Sequence, residues 1–503
     1  MTTDPARTAT DGEDGPGEGP YDYPEPPTEL TAGRRGNWLK LLAYFGPGAV
    51  VASATLGSGE VLFAPRGGAI FGYAILWTLV WAGLVKGIVA YSGIRYYTLT
   101  GEHVTSRWAK LPGPRGWFPL LIGVISIAAF PAWIAGYGEF LGQIVTWTLG
   151  VGQNETNFAV VGTVLILVTA ALAILGGYDL VERVQVLIVA FLSAAILVLT
   201  VSSLPSPMAI LGGLIPSLPG GYPSFVVDNY PTIAERPVWV EVVTYMGAVG
   251  GGVYDYVGYV GYAKRRGWGM LGRSDHAEVE RFVRELDSSE TVPIATSEAN
   301  RKRGRAWLKA PQIDVLVAFV AITFFTAAAM ILGAESLNTA QLVPADFQLF
   351  QYQAQWFADI NPSLTILWQV GVFFAIFGSL YAVWEGYTWT WLESFKPFSA
   401  RIRRLERDRL GLARTITVVY AGGVALVLLW SDLDAISIVT PASLLGGVFG
   451  CGLWCWAMLW AEKTALPPEW QGGWKLDLGL VVAGSFLTIA GVVSIAQFFG
   501  FAP

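Results

Sequence analysis

The chain has 503 residues, of which 53% are hydrophobic and only 14% charged; soluble domains carry about a quarter charged residues, which excludes an ordinary soluble enzyme of this length. The formal charge of −6 favours no class of partner, because 32 basic and 38 acidic side chains nearly cancel and only their placement carries information. The apolar residues fall in runs of roughly 18–25, the length that spans a bilayer as helix, so the fold class is an all-α polytopic membrane protein.

Residues 1–38 open as MTTDPARTATDGEDGPGEGP, rich in Pro, Gly and acid, and predict a disordered cytoplasmic tail. They lack the basic, apolar and small-residue order of a cleaved signal peptide, so the first apolar run is expected to stay in the protein. From 39 to 503 the pattern predicts a transmembrane domain of about eleven helices. They lie near 42–64, 70–97, 117–141, 158–176, 183–204, 240–263, 313–333, 367–392, 413–430, 435–461 and 477–499. Lys and Arg accumulate on the cytoplasmic side of membrane proteins. With the N-terminus inside, the inner segments collect Arg34, Arg35, Lys40, Arg107, Lys110, Arg115 and Arg183, then dense sets from Lys264 to Lys309 and from Lys396 to Arg409. The outer segments hold only Arg66 and Arg236. The expected topology is multi-pass in the cell membrane with the C-terminus outside.

Two of the predicted helices are interrupted. The first carries Gly57-Ser58-Gly59 followed by Glu60, and the sixth carries Gly250-Gly251-Gly252 with Asp255 just after it. These helices run in opposite directions, five apart, at corresponding places of two five-helix units, about 40–204 and 240–461, with 477–499 as an extra helix. Glycine-broken spans so placed point to an inverted-repeat secondary transporter and to its binding site. Unwound backbone at mid-membrane is tolerated where it lines a cavity or binds something. The alternative is that the glycines are contacts of the small-xxx-small kind between intact helices.

A charge at the centre of a membrane helix costs about 3 kcal/mol to insert, which makes the deep acids Glu60, Glu139, Asp255 and Glu385 candidates for function. Glu60 touches the first break. Glu139 has either a gating or proton role or a buried pairing with Lys86 or Arg95. Asp255 either gates or caps the second half of the sixth helix, and Glu385 reads as paired or gating. His103 and His276 fall in inner loops and read as solvated. Tyr254, Tyr256, Tyr259 and Tyr262 line a cavity, anchor at the membrane interface or pack inside the bundle. Cys451 and Cys455, four apart on one helix, read as packing residues. The inner loop 264–312 contains HAEVERFVRELDSSE, whose apolar spacing predicts a short amphipathic helix on the inner leaflet or against the bundle.

The stretches FGPGAVVASATLGSGE, FGYAILWTLVWAGLVKGIVAYSGIRYYTLTG, GEFLGQ, ERVQVLIVAFLSAAIL and QIDVLVAFV occur in this order and resemble the first, second, third, fifth and seventh helices of the NRAMP family of divalent-metal transporters. That family belongs to the larger leucine-transporter fold group. The resemblance covers roughly residues 40–500 and implies a LeuT-like 5+5 inverted repeat with unwound helices one and six. It also implies a binding site at Gly57, Ser58, Gly59, Glu60, Ala248, Gly251 and Gly252. The departures bear on chemistry. Where the family has Asp-Pro-Gly-Asn this chain has Gly57, Ser58, Gly59 and Glu60; Ala248 is kept, but the family's Met, Pro and His read Gly251, Gly252 and Val253. Of the acids and His that the family uses for protons, the corresponding positions are Gly57, Tyr91, Gly136 and Val253, with Glu139 retained.

A thioether selects soft transition metals, whereas carboxylate, carbonyl and water suit hard ions. The expected function is a secondary transporter or facilitator moving a small cation by alternating access, a hard divalent ion such as magnesium ahead of manganese or iron. The alternatives are a small cationic or zwitterionic organic solute on the same scaffold, and a non-transporting membrane sensor. No phosphate loop, metal-binding His pair or nucleophile beside a His is present, so neither an enzyme nor ATP, nucleic acid or a bound cofactor is implied.

Overall fold

The structure, a computed structural model, describes residues 21–31, 38–41, 44, 57, 59–176, 178–203, 205–217, 219–344 and 346–501. Long apolar runs form long helices because, in lipid, each backbone polar group must be satisfied inside its own segment. A π-helical turn, Gly59–Phe63, leads into α1 (Ala64–Phe71), followed by α2 (Leu76–Thr100), α3 (Trp117–Thr148), α4 (Glu155–Leu175) and α5 (Tyr178–Ser202). Next come α6 (Val238–Ala248), α7 (Val253–Arg266), α8 (Lys309–Gly333), α9 (Leu364–Phe395) and α10 (Leu410–Leu429). A second π-helical turn, Ser443–Phe449, joins α11 (Ala435–Ala442) to α12 (Gly450–Ala465), and α13 (Gly473–Phe498) ends the fold.

Local chemistry sets several ends. The Asn154 and Asp434 side chains cap α4 and α11 by accepting from the Asn157 and Ser437 amides at 3.0 and 2.8 Å. α3 packs against α4, α9 and α10; α8 lies along α2, and α7 runs beside α9. α2 and the span from α11 to α12 are central, with 72% of their most apolar stretch buried, whereas α4, α10 and α13 are 33% buried and peripheral. The peripheral helices turn apolar rows outward, Val160, Val164, Leu167 and Val168 on α4 among them, as a lipid-facing wall does.

Among the described residues, eight helices are long and apolar enough to cross a membrane alone, fewer than the eleven expected. The shortfall lies in segmented spans. The sixth is split into α6 of 11 residues and α7 of 14, whereas α5 is one continuous helix of 25 residues. The first is described from Gly57 onward and continues to Phe71 rather than ending near 64. The count of eleven therefore stays a reading of the sequence.

Part of the expected tail and the expected amphipathic loop helix are both built into the face that carries the long basic loop. Within the expected disordered tail, Tyr21 pairs with Ile294, Tyr23 is 2% exposed and donates its hydroxyl to Leu99 O at 3.0 Å, and Trp307 Nε1 donates to Pro24 O at 2.9 Å. Composition hid these anchors, because two tyrosines and Leu30 are few among so many Pro and Gly. Residues 1–20 and 32–37 lie outside the described residues. The loop helix His276–Glu285 buries Val279, Glu280 and Val283 against the molecule.

Candidate functional site: two breaks, a carboxylate and an ammonium

α6 stops at Ala248 and α7 starts at Val253. Between them Gly250 and Gly251 take left-handed conformations, φ +71° and +83°, which glycine alone adopts at little cost. Here the glycines break the helix rather than pack an intact one. Such a break orphans carbonyls at the end of one half-helix and amides at the start of the next. Asp255 answers part of this: its Oδ2 accepts from Gly252 N at 2.7 Å, capping α7. The Tyr256 hydroxyl donates to Gly250 O at 2.6 Å.

The first break meets the second directly. Glu60, in the π-helical turn, is 0% exposed; its Oε1 accepts from Gly250 N at 3.3 Å, and its Oε2 has no hydrogen-bond partner among the described residues. A Cβ on Gly59 would stand 2.5 Å from Ala248 O, and one on Gly57 would stand 2.1 Å from Ser379 Oγ on α9. Gly59 is thus what lets the two chains touch. From the helix Asp346–Ala358, which the sequence reading did not anticipate, Gln353 Nε2 donates to Val61 O at 2.6 Å.

Lys86, from the centre of α2, completes the junction. Its Nζ lies 2.8, 3.0, 2.6 and 2.8 Å from the carbonyl oxygens of Met246, Gly247, Val249 and Gly251, and the residue is 0% exposed. An ammonium has three N–H donors, so four oxygens at this range enclose it as an ion rather than pair with it bond for bond. The oxygens come from the C-terminal end of a half-helix, where the helix dipole is negative. Glu60 thus holds the amide side of the break and Lys86 the carbonyl side. A lone Lys in the middle of an apolar run carries the same insertion cost as an acid, and that was the signal available in the sequence.

Of the predicted binding residues, Glu60, Gly59, Ala248 and Gly251 converge here, Gly252 caps α7 and Gly57 packs on α9; Ser58 lies outside the described residues. Glu139 accepts from Gln143 Nε2 at 3.1 Å, while its expected partners are engaged elsewhere: Lys86 in the break, and Arg95 with Glu462 and, at 2.6 Å, with Trp470 O. Glu385 pairs with Arg414 Nη2 of α10 at 2.5 Å. Tyr254, Tyr256 and Tyr259 are buried rather than interfacial; Tyr254 accepts from Trp133 Nε1 at 2.6 Å, and Tyr259 donates to Asp314 Oδ2 at 2.8 Å. Cys451 and Cys455 are buried free thiols.

The expectation of solvated histidines is corrected, since both are buried. His103 Nε2 lies 3.2 Å from Val257 O and its Nδ1 3.3 Å from Glu393 Oε2. Burial, and then the Lys396 charge, push His103 down to about 3, which leaves the ring neutral. Lys396 sits 2.7, 3.2 and 3.7 Å from carboxylate oxygens of Glu393, Glu280 and Glu406. Burial opposes its charge, yet these acids hold the ammonium well above the ordinary lysine range. A cavity of about 620 Å³ opens on this face, lined by Arg281, Arg284, Arg403 and Arg404 among others; none of its lining residues belongs to either break.

The family description "Natural resistance-associated macrophage protein-like" matches residues 48–497. The chain belongs to this NRAMP-like family. Its curated relatives include an uncharacterized protein of Pasteurella multocida, 27% identical over 47% of this chain and 57% of its own length. The divalent metal cation transporter MntH of Klebsiella pneumoniae is 28% identical over 37% of this chain and 44% of its own. The chain thus spans about half the length of the curated relatives it matches. Among solved structures, a manganese transporter of Eremococcus coleocola superposes with a TM-score of 0.61 at 17% identity, covering 94% of this chain and 90% of that one. The same transporter with an aromatic bis-isothiourea substituted compound gives 0.59 at 18% identity. The shared fold is the LeuT-like one, and in this NRAMP-like chain the sixth helix is broken at Gly250. Among the described residues no three His, Cys, Asp or Glu side chains converge in a way that would hold a metal.

Proposed function

We propose that this chain carries a divalent metal cation across the membrane by alternating access, binding it beside Glu60 where the two breaks meet. One observation carries the reading: a fully buried carboxylate with one oxygen on the Gly250 amide and the other without a partner among the described residues, where the π-helical turn Gly59–Phe63 meets the break of the sixth helix. The names of the MntH relatives and of the manganese transporter neighbour support the cargo class. The finer choice of ion rests on ligand chemistry. Without a thioether at Gly251, oxygen donors remain and favour a hard ion such as magnesium, with manganese as the competing choice that the neighbour's name supports. The distribution of basic segments supports an N-terminus inside and a C-terminus outside the cell membrane.

A second reading, carriage of a small organic amine on the same scaffold, is favoured by the alkylammonium of Lys86 already held by the carbonyls of the break. Uptake into proteoliposomes separates the two. Magnesium, manganese and calcium are offered with and without a pH gradient, beside small amines. The expected result is divalent-ion uptake that falls at least about tenfold in Glu60→Gln, a loss of about 1.4 kcal/mol or more of binding. Normal metal uptake by Glu60→Gln would end the assignment of the site, and amine uptake without metal uptake would transfer it to the second reading.

A further inference from the structure

The carbonyls of Met246, Gly247, Val249 and Gly251 face one point from a single broken helix, all within 3.0 Å of one nitrogen. Inward-facing main-chain oxygens at the negative end of a half-helix form the kind of cage that coordinates small cations in broken membrane helices. Here the protein fills it with its own side chain. The ammonium comes from α2, a continuous helix outside both breaks, so that the occupant and the cage belong to different elements. Glu60, Asp255 and Cys451 are the ionisable groups that face it, from the first break, α7 and α12.

We propose that Lys86 is a tethered cation that occupies the carbonyl half of the cargo site, so that a free cation gains those four oxygens only by displacing the ammonium. The inference rests on the transport reading for what the cargo is, but the cage itself stands apart from that reading. In the lysine-occupied state the break carries its own positive charge and requires no free ion to satisfy its carbonyls. A metal arriving at the free oxygen of Glu60 meets a competing charge already in place, which weakens its binding and favours its release.

Purified full-length protein in detergent tests this with two variants. Lys86→Leu deletes the charge and brings no metal-binding atom; Lys86→Ala leaves a channel the size of the missing alkylammonium. Manganese and magnesium chloride are titrated into wild type and Lys86→Leu by calorimetry. n-Butylammonium chloride is titrated into wild type and Lys86→Ala while the thermal midpoint is followed, with tetramethylammonium as the control too wide for the cage. The expected results are at least tenfold tighter metal binding by Lys86→Leu, and a saturable rise in midpoint for Lys86→Ala with butylammonium alone. Unchanged metal affinity together with no butylammonium effect would make Lys86 a structural strut and overturn the proposal. Should neither wild type nor Lys86→Leu bind any metal, the transport reading fails, and the cage is then decided by butylammonium: rescue of Lys86→Ala upholds it and lack of rescue refutes it.

Discussion

At the junction of the breaks, buried charge is answered by main chain: Glu60 by the Gly250 amide, and Lys86 by four carbonyls. At the basic face, buried charge is answered by side chains: Lys396 by Glu393, Glu280 and Glu406, Arg107 by Glu102 at 3.0 Å, and Arg95 by Glu462. The contrast follows from what each region has to offer. A helix opened at mid-membrane exposes its own dipoles and draws charge to them, whereas intact helix ends on the face have few free amides or carbonyls and need opposite side chains instead. Side-chain pairs lock two elements to each other; main-chain ligands travel with the segment that bears them.

That distinction can be broken at the face first, where the effect is largest. Glu462→Ala leaves the Arg95 guanidinium buried without its carboxylate, and losing one partner of a buried pair costs about 3–5 kcal/mol. A thermal midpoint within a degree of wild type would show that the face is not held by its ion pairs. At the junction, Gly59→Ala drives a Cβ against Ala248 O, and overpacking of this kind costs about 1–3 kcal/mol. Because the strain falls between the breaks, metal binding is expected to weaken alongside stability; loss of stability with intact binding would separate the contact from the site.

The two regions also differ in their response to acid. His103 has a folded-state pKa depressed to about 3 against an ordinary value near 6.5, so its contribution to stability is complete above about pH 6.5 and is lost as pH falls toward 3. Between pH 7 and 5.5 the loss is about 1 kcal/mol, read as a falling midpoint in detergent, and His103→Gln is expected to flatten that slope. An identical slope in the variant would assign the acid sensitivity to other groups. The smallest change expected is at the break's own cap: Asp255→Ala frees the Gly252 amide and costs about 1 kcal/mol of stability. A tenfold loss of transport with unchanged stability would instead make Asp255 a gating group.

Much of this was legible from residue pattern. Helices are set by apolar run length, and the break of the sixth was visible as a glycine triplet with an acid just after it in apolar surroundings; the stretch before Gly57 lies outside the described residues. The details that escaped have physical reasons. The sequence offers Lys86 as a partner for Glu139 and not as the cation of the junction, because its actual partners are carbonyls, which have no signature in sequence. His103 and His276 read as solvated because a loop position says nothing about whether other segments close over it. Gln353 was missed because its helix is amphipathic rather than membrane-length: Leu349, Phe350, Ala354 and Phe357 form its buried stripe. The same limit hid the anchoring of Tyr23, whose partners lie far along the chain.

Tyr23 lies edge-on to Trp470, ring centroids 5.0 Å apart, while its amide and hydroxyl reach Asn300 and Leu99. One residue near the start of the chain therefore staples together the end of α2, the long loop and the approach to α13. Any rocking that parts those three pieces must either carry this strap with one of them or peel it away. A bulky fusion at residue 20 or a deletion through Leu30 consequently acts on the contact between these three pieces, and not merely on a dispensable end.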